Sequence, residues 1–203
     1  MIRIIGDIPL EITIAASGGA DSMAVLDFLR RGKRSVSVVH IDHGTIFGRH
    51  ARKIVEKYCL EHGLPLKIHS IEVDPPQGSS MEEFWRNERY KVFSKCENKV
   101  ITAHHANDSL EWWIMTSAHG TPRIIPYQNK NVIRPFLLTT HKEFVSWCEN
   151  KKVPYLDDPG NEDPKYMRSL VRSKIVPLMQ EVNPGLIKMI RKKIKKEIED
   201  VFC

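Results

Sequence analysis

Between residues 11 and 117 short apolar runs alternate four times with amphipathic stretches, and this alternation constrains the chain more than any other feature. Ile12 to Ala16 reads as a strand, broken by Ser17-Gly18-Gly19. Asp21 to Arg31 follows as a helix with Val25, Leu26 and Leu29 on one face. Ser35 to Ile41 is rich in β-branched residues, hence a second strand, and His50 to His62 is the next helix, with Gly63 at its stop. Leu66 to Val73 is a third strand closed by Asp74-Pro75-Pro76, Ser80 to Cys96 is helical, Lys99 to Ala103 is a fourth strand, and Asn107 to Ser117 a helix. Such alternation predicts an α/β fold, a parallel sheet with helices on both faces, in which the first, second and fourth strands are buried.

Sheets of this type bind ligands beyond the carboxyl ends of their strands. The unusual residues of this chain cluster at three such ends, Ser17 to Ser22, His40 to Gly44 and His104 to Glu111, so these segments are expected to meet at one sheet edge. After residue 120 the pattern loosens. Asn131 to Pro135 has room for a short last strand, Thr140 to Lys151 is helical, and Tyr166 to Gln180 is helical with Pro177 as an interruption. Two units are expected, residues 1–180 as the domain that carries these three segments and 181–203 as a basic amphipathic C-terminal helix.

Ser17-Gly18-Gly19-Ala20-Asp21-Ser22 follows a strand and opens a helix. Its two glycines let backbone amides approach a phosphate, and the helix N-terminus adds partial positive charge. The hydroxyls of Ser17 and Ser22 are further donors, and Asp21 is a ligand for an accompanying Mg²⁺. The competing reading is a glycine turn capped by Asp21 or Ser22. The loop is neither a Walker loop nor a dinucleotide fingerprint. In the second cluster His40 and Asp42 share one strand face while His43 points to the other, which argues against a three-ligand metal site there. In the third, Asp108 and Glu111 lie three apart on one helical face, suited to Mg²⁺ or to orienting a reacting group, or else a helix cap with acidic first-turn residues.

The first segment resembles the signature of the ATP pyrophosphatase family, enzymes that split ATP into AMP and pyrophosphate. The wider set resembles tRNA(Ile)-lysidine synthetases, in a short form holding the catalytic unit alone. It comprises Asp42-His43-Gly44, His104-His105-x-x-Asp108-x-x-Glu111, Arg86-x-x-Arg89-Tyr90, Arg134-Pro135-Phe136-Leu137, and Asp158 to Asp163 followed by Tyr166, Arg168 and Arg172. Five positions depart from that family's pattern: Trp85, Asn107, Trp112, Gly160 and Ser169. The resemblance implies a Rossmann-like adenine nucleotide alpha-hydrolase fold, with ATP held by Ser17, Gly18, Gly19, Asp21, Ser22, His40 and Asp42. Asp21, Asp108 and Glu111 would be catalytic, with Asp21 and Asp108 on Mg²⁺. Arg86, Arg89, Arg168 and Arg172 would contact RNA or the anionic intermediate. The implied activity is that of a carbon–nitrogen ligase, adenylating C2 of a tRNA cytidine and replacing AMP with free lysine. If Glu111 serves chemistry alone, Glu111→Gln should cost little stability. Two rival functions are tRNA thiolation, and RNA binding on an ATP fold that has lost turnover. The thiolases often use paired cysteines, whereas Cys59, Cys96, Cys148 and Cys203 are scattered.

The balance of 31 basic against 25 acidic residues, net +6, is compatible with a nucleic-acid partner and equally with an ordinary basic protein. Scattered single cysteines, no signal-peptide core and no stretch approaching the ~20 apolar residues of a membrane span predict a cytoplasmic protein. A homodimer is compatible with everything above. In the final helix, Leu186 to Phe202, an apolar stripe of Ile187, Ile190, Ile194, Ile198 and Val201 faces Lys188, Arg191, Lys192, Lys193, Lys195 and Lys196. That basic surface suits RNA phosphates, or belongs to a helix docked by its stripe with solvated lysines.

Overall fold

The computed structural model describes residues 1–71, 81–157 and 167–202. Its elements run β1 (Glu11–Ala15), α1 (Ala20–Arg30), β2 (Ser35–Asp42), α2 (Ile46–Glu61), β3 (Leu66–Ser70), α3 (Met81–Ser94), β4 (Lys99–Ile101) and α4 (Ala106–Ala118). They continue with β5 (Gln128–Asn129), β6 (Val132–Ile133), α5 (His141–Lys151), α6 (Met167–Leu170), a π-helical turn (Val171–Ile175), α7 (Val176–Val182) and α8 (Leu186–Phe202). The six strands order as β3-β2-β1-β4-β6-β5, all parallel except β5, which pairs antiparallel with β6.

Alternation along the strands sorts side chains onto two faces. Val38, Ile101 and Ile133 enter the large core shared with α1, α2, α4, α5 and α8, while their neighbours Val39, Val100 and Val132 meet Phe93 of α3 in a smaller one. Central β1 buries Ile12, Thr13 and Ile14 in succession, as a strand covered on both faces must. Edge strand β3 has no buried residue, in keeping with the expectation that the other three lie inside. It ends at Ser70, and the expected closing turn at Asp74 to Gly78 lies outside the described residues. Helix α2 begins earlier than expected because Thr45 caps it, its hydroxyl accepting the Gly48 N–H at 2.9 Å.

The strand order places β2 and β3 on one side of β1 and β4 on the other, so the order reverses between β1 and β4. A crevice opens at such a reversal, outside the carboxyl ends of the two strands. The residues leaving those ends are Ser17 to Ser22 and Thr102 to Asp108. In the C-terminal region the interruption expected of Pro177 takes the form of the π turn just before it. Proline lacks an N–H and clashes with the carbonyl four residues back, and the wider π turn relieves both. Helix α8 docks through Leu186, Ile190, Ile194 and Ile198, which are buried in the main core, leaving its lysines exposed. Among the described residues no helix is long and apolar enough to cross a membrane.

Candidate nucleotide site

The loop after β1 is held by its own hydroxyls. Ser22 Oγ accepts the Ser17 N–H at 3.0 Å, donates to the Gly19 carbonyl at 3.1 Å and lies 3.0 Å from Ser17 Oγ. Gly18 has φ +89°, and a Cβ there would stand 2.9 Å from the Cβ of Ala51 and 3.0 Å from its backbone. Only glycine fits. The loop is also stitched from outside, since the Leu156 N–H donates to the Gly18 carbonyl at 3.0 Å. Gly19, the N-cap of α1, offers no side-chain acceptor, so the first-turn amides of α1 lack a side-chain cap. An uncapped helix start beside a glycine loop is an arrangement that favours an anion.

Helix α4 brings the second set of groups. His105 is its N-cap: Nδ1 accepts the Asp108 N–H at 3.3 Å, and Asp108 Oδ2 accepts the His105 N–H at 2.9 Å. With Nδ1 so engaged, the neutral ring carries its proton on Nε2, 3.4 Å from Asp21 Oδ2. His141, at the start of α5, places Nδ1 2.8 Å from Asp21 Oδ1. Asp21, His105 and His141 each offer a ligand atom within 4.8 Å of one another. Yet the Nε2 proton of His105 persists in both protonation states, so that nitrogen is a donor to Asp21 and not a metal ligand.

These contacts set the titration of the site. Burial works to raise Asp21, but hydrogen bonds from His105 and His141 outweigh it and lower its pKa below the ordinary carboxylate value. Burial disfavours charged His105, yet the Asp108 charge and the bond to Asp21 lift its pKa overall. The bond to Asp21 also raises His141, against a smaller effect of burial. Asp108 is pushed the way of Asp21: burial opposes, and the charges of His105 and Arg168 hold it far below the ordinary value. His104 differs. Burial depresses it to about 3, so its ring is neutral, with Nδ1 2.9 Å from Thr102 Oγ1.

The structure brings Asp21, Asp108 and Glu111 to one locality with Arg168 and Arg172. Arg168 donates through Nε to Glu111 Oε2 and through a terminal nitrogen to Asp108 Oδ1, both at 2.8 Å. Arg172 donates to both Glu111 oxygens, at 2.7 and 3.0 Å. Glu111 is 2% exposed, so the idea that it serves chemistry alone, at no structural cost, needs correcting: it is a buried carboxylate clamped by two guanidiniums. Both Asp108 oxygens are likewise engaged, whereas the side chain of Asp21 keeps 31% of its surface open.

The remaining expected residues stand further back. His40 is buried and bonds through Nδ1 to the Ala16 carbonyl at 2.7 Å, fixing the start of the glycine loop from β2. Asp42 accepts the Gly44 N–H at 2.9 Å within its own turn, with Arg52 at 3.7 Å. His43 packs on Trp85 with ring centres 5.0 Å apart, and burial with the Arg89 charge lowers it to about 4. Arg86 and Arg89 are exposed on α3, Arg86 lying over the Tyr90 ring at 5.6 Å. Asn107, one of the departures, accepts the His141 N–H at 3.1 Å and so ties α4 to α5. Asp158 to Asp163 and Tyr166 lie outside the described residues. His141 is the site residue that sequence reasoning missed. It carries no local signal, because its partner Asp21 is 120 residues away.

A glycine loop at the switch point of a parallel sheet, opening an uncapped helix, defines a nucleotide-phosphate-binding α/β domain. Comparison with known proteins agrees. Residues 8–179 match the model of the PP-loop domain, and the chain belongs to the PP-loop family of ATP-binding domains. It is 35% identical to a tRNA(Ile)-lysidine synthase of Thermotoga sp. (strain RQ2) over 193 residues, 86% of this chain and 46% of that protein. A tRNA(Ile)-lysidine synthase of Thermosipho africanus is 33% identical over 192 residues, 86% of this chain and 45% of the relative. The chain thus spans about half the length of the curated relatives it matches. Among solved structures, the NH3-dependent NAD synthetase from Campylobacter jejuni superposes with a TM-score of 0.53 at 14% identity, covering 95% of this chain and 87% of that one. That likeness concerns the fold alone.

Proposed function

We propose that this chain is the catalytic unit of a lysidine-forming enzyme, using ATP to modify a cytidine in tRNA. The observation that carries the reading is the 33–35% identity to tRNA(Ile)-lysidine synthases over 86% of the chain, with the glycine loop and Asp21 inside the residues 8–179 that match the PP-loop domain. In the first step the C2 oxygen of cytidine attacks the α-phosphorus of ATP. The bond to the β-phosphate breaks and pyrophosphate leaves. In the second the amine of free lysine attacks C2, the C2–O bond breaks, AMP departs, and the amine gives up a proton. The loop amides, with the Ser17 and Ser22 hydroxyls, hold the leaving pyrophosphate, where negative charge grows as the bond breaks. His141, whose pKa the hydrogen bond to Asp21 raises, stands beside Asp21 at the head of α1.

Mg²⁺ requires oxygen ligands and keeps several waters, binding through one or two carboxylates plus the phosphates. The half-open Asp21 fits that requirement, and the ion would neutralise phosphate charge. Asp108 would join it only by exchanging Arg168 for the metal. His40 orients the loop through Ala16, and the buried clamp of Glu111, Arg168 and Arg172 fixes α4 so that His105 meets Asp21.

Thiolation by the chain's own thiols has less support. Burial pushes the Cys59 and Cys148 thiols up to about 11 and about 12, away from thiolate character. The test is nucleoside mass spectrometry of tRNA incubated with the protein, ATP, Mg²⁺ and lysine. A cytidine gaining the mass of lysine less water is expected. RNA-dependent AMP formation without that adduct would refute lysine as the nucleophile, and no AMP at all would refute turnover.

A further inference from the structure

Toward the C-terminal half of α4, Trp112 and Trp113 form a shallow, open cleft of about 610 Å³ with the 122–126 segment and α8. Its walls include Trp112 and Trp113, both half-buried, with exposed Arg123, Lys193 and Lys196 around them and Glu197 as the one acidic side chain lining it. Trp113 packs against the main core and carries Lys193 Nζ 5.7 Å from its ring centre. Among the described residues Trp112 lines the cleft without joining that packing. Among the described residues, three cations against one carboxylate leave an excess of two positive charges at a site walled by two indoles.

We infer that this cleft is an RNA-docking groove, in which an unpaired base stacks on Trp112 while its flanking phosphates meet Lys193, Lys196 and Arg123. Indole faces stack on any base and the ammonium groups supply sequence-independent attraction, the pairing that single-strand binders use. The groove and the nucleotide site share helix α4. Trp112 follows Asp108 by four residues, about 6 Å along α4, so a strand seated here leads toward the crevice at the β1–β4 switch point. The inference rests on the proposal that the chain acts on RNA, and it identifies where that RNA is held.

The experiment uses the full chain and a fluorescein-labelled oligocytidylate, followed by anisotropy over a salt series. The wild type binds. Trp112→Ala weakens binding about ten-fold, and Trp112→Phe restores most of it. Lys193→Gln with Lys196→Gln lowers the log–log salt slope by about 1.4, two contacts at about 0.7 each. ATP binding is unchanged in all of them, which also certifies the fold of each variant. The inference fails if the wild type does not bind the oligonucleotide, or if Trp112→Ala and the lysine pair bind it within two-fold of wild type. It fails equally if Trp112→Ala instead breaks a concentration-dependent dimer, since the groove would then belong to a second copy. The two proposals fail separately. RNA held in the groove by a wild type that makes no lysine adduct sinks the lysidine reading alone, whereas adduct formation with unaltered KM for tRNA in the groove variants sinks the groove alone.

Discussion

Replacing Glu111 by glutamine keeps the side chain's size and removes its charge from between two guanidiniums. The carboxylate now accepts three hydrogen bonds, one from Arg168 and two from Arg172, at 2.7 to 3.0 Å. A glutamine in the same place has one oxygen to accept with, and its amide N–H groups face the donors of the other arginine. Breaking a fully buried ion pair costs about 3–5 kcal/mol. Here Glu111 is 3% exposed at its side chain, but Arg168 and Arg172 are 32% and 42% exposed and can turn back to water. Screening at that half-open end trims the expected loss to roughly 2–3 kcal/mol. For a chain of this size that is a drop in Tm of about 4–12 °C. Circular dichroism melts of wild type, Glu111→Gln, Arg172→Gln and the double variant measure it, and the two single losses should be non-additive because they break the same contacts. A Glu111→Gln melting point within about 1 °C of wild type would refute the clamp. Turnover is then compared well below the lower Tm, where pyrophosphate release by a fully folded variant reports on chemistry alone.

Asp21→Ala should abolish pyrophosphate release while shifting Tm by only a few degrees, because that side chain is partly open and outside the core; normal turnover in a folded variant would remove it from the reaction. The same substitution takes away the partner that raises His141, so the imidazole pKa followed by proton NMR should fall, and an unmoved value would contradict the contact. Gly18→Ala forces φ +89° on a residue with a Cβ against Ala51, at a cost of about 1–2 kcal/mol and with weakened ATP binding, to be read by urea melts and nucleotide titration. Wild-type behaviour there would show that the loop tolerates a side chain. Asp27, fully buried, accepts from Arg30, Arg31, Tyr58 and Trp147 at 2.5 to 2.9 Å. Burial raises its pKa, but the bonds from Arg31, Tyr58 and Trp147 and the charge of Arg30 more than offset that, so the folded value lies below the unfolded one of about 3.9. Its contribution is therefore complete above about pH 4 and lost as pH falls through the folded value. The stability gap between wild type and Asp27→Asn should shrink on acidification, and a gap constant with pH would refute the assignment.

The sheet was legible because its signal is local. Ile12 to Ile14, Val38 with Val39 and Val100 with Ile101 are apolar on both faces, as buried parallel strands require, while β3 alternates Leu66 and Ile68 with Lys67 and His69 and sits at the edge. The same rule brought two distant loops together, since a parallel sheet puts all its strand ends on one side and only those flanking β1 and β4 can share the crevice. Partner choice within the site was not legible. His40 and Asp42 lie at the right strand end, yet each is turned to a backbone group, His40 to Ala16 and Asp42 to Gly44, because a buried polar side chain takes the nearest unsatisfied donor or acceptor. Nothing in the residues around His141 could announce its contact with Asp21, which depends on how α5 packs against α1 through Phe28, Phe136 and Trp147.

Spacing along α4 only half reveals how its residues divide the work. Asp108 and Glu111, one turn apart, turn toward the arginines of the last helical region, and the π turn beside Pro177 presents Arg172 to the carboxylate that Arg168 also reaches. Guanidiniums so occupied contribute little to the attraction of a distant phosphate, because each is already neutralised by a buried carboxylate. Among the described residues, exposed positive charge in the C-terminal region includes the lysines of α8, which stand in solvent while Ile190 and Ile194 anchor the helix. An apolar stripe and a basic face on one helix are thus not competing explanations. The stripe fixes where the lysines stand, and the place it fixes is beside Trp112 and Trp113, one turn from the carboxylates that organise the nucleotide site.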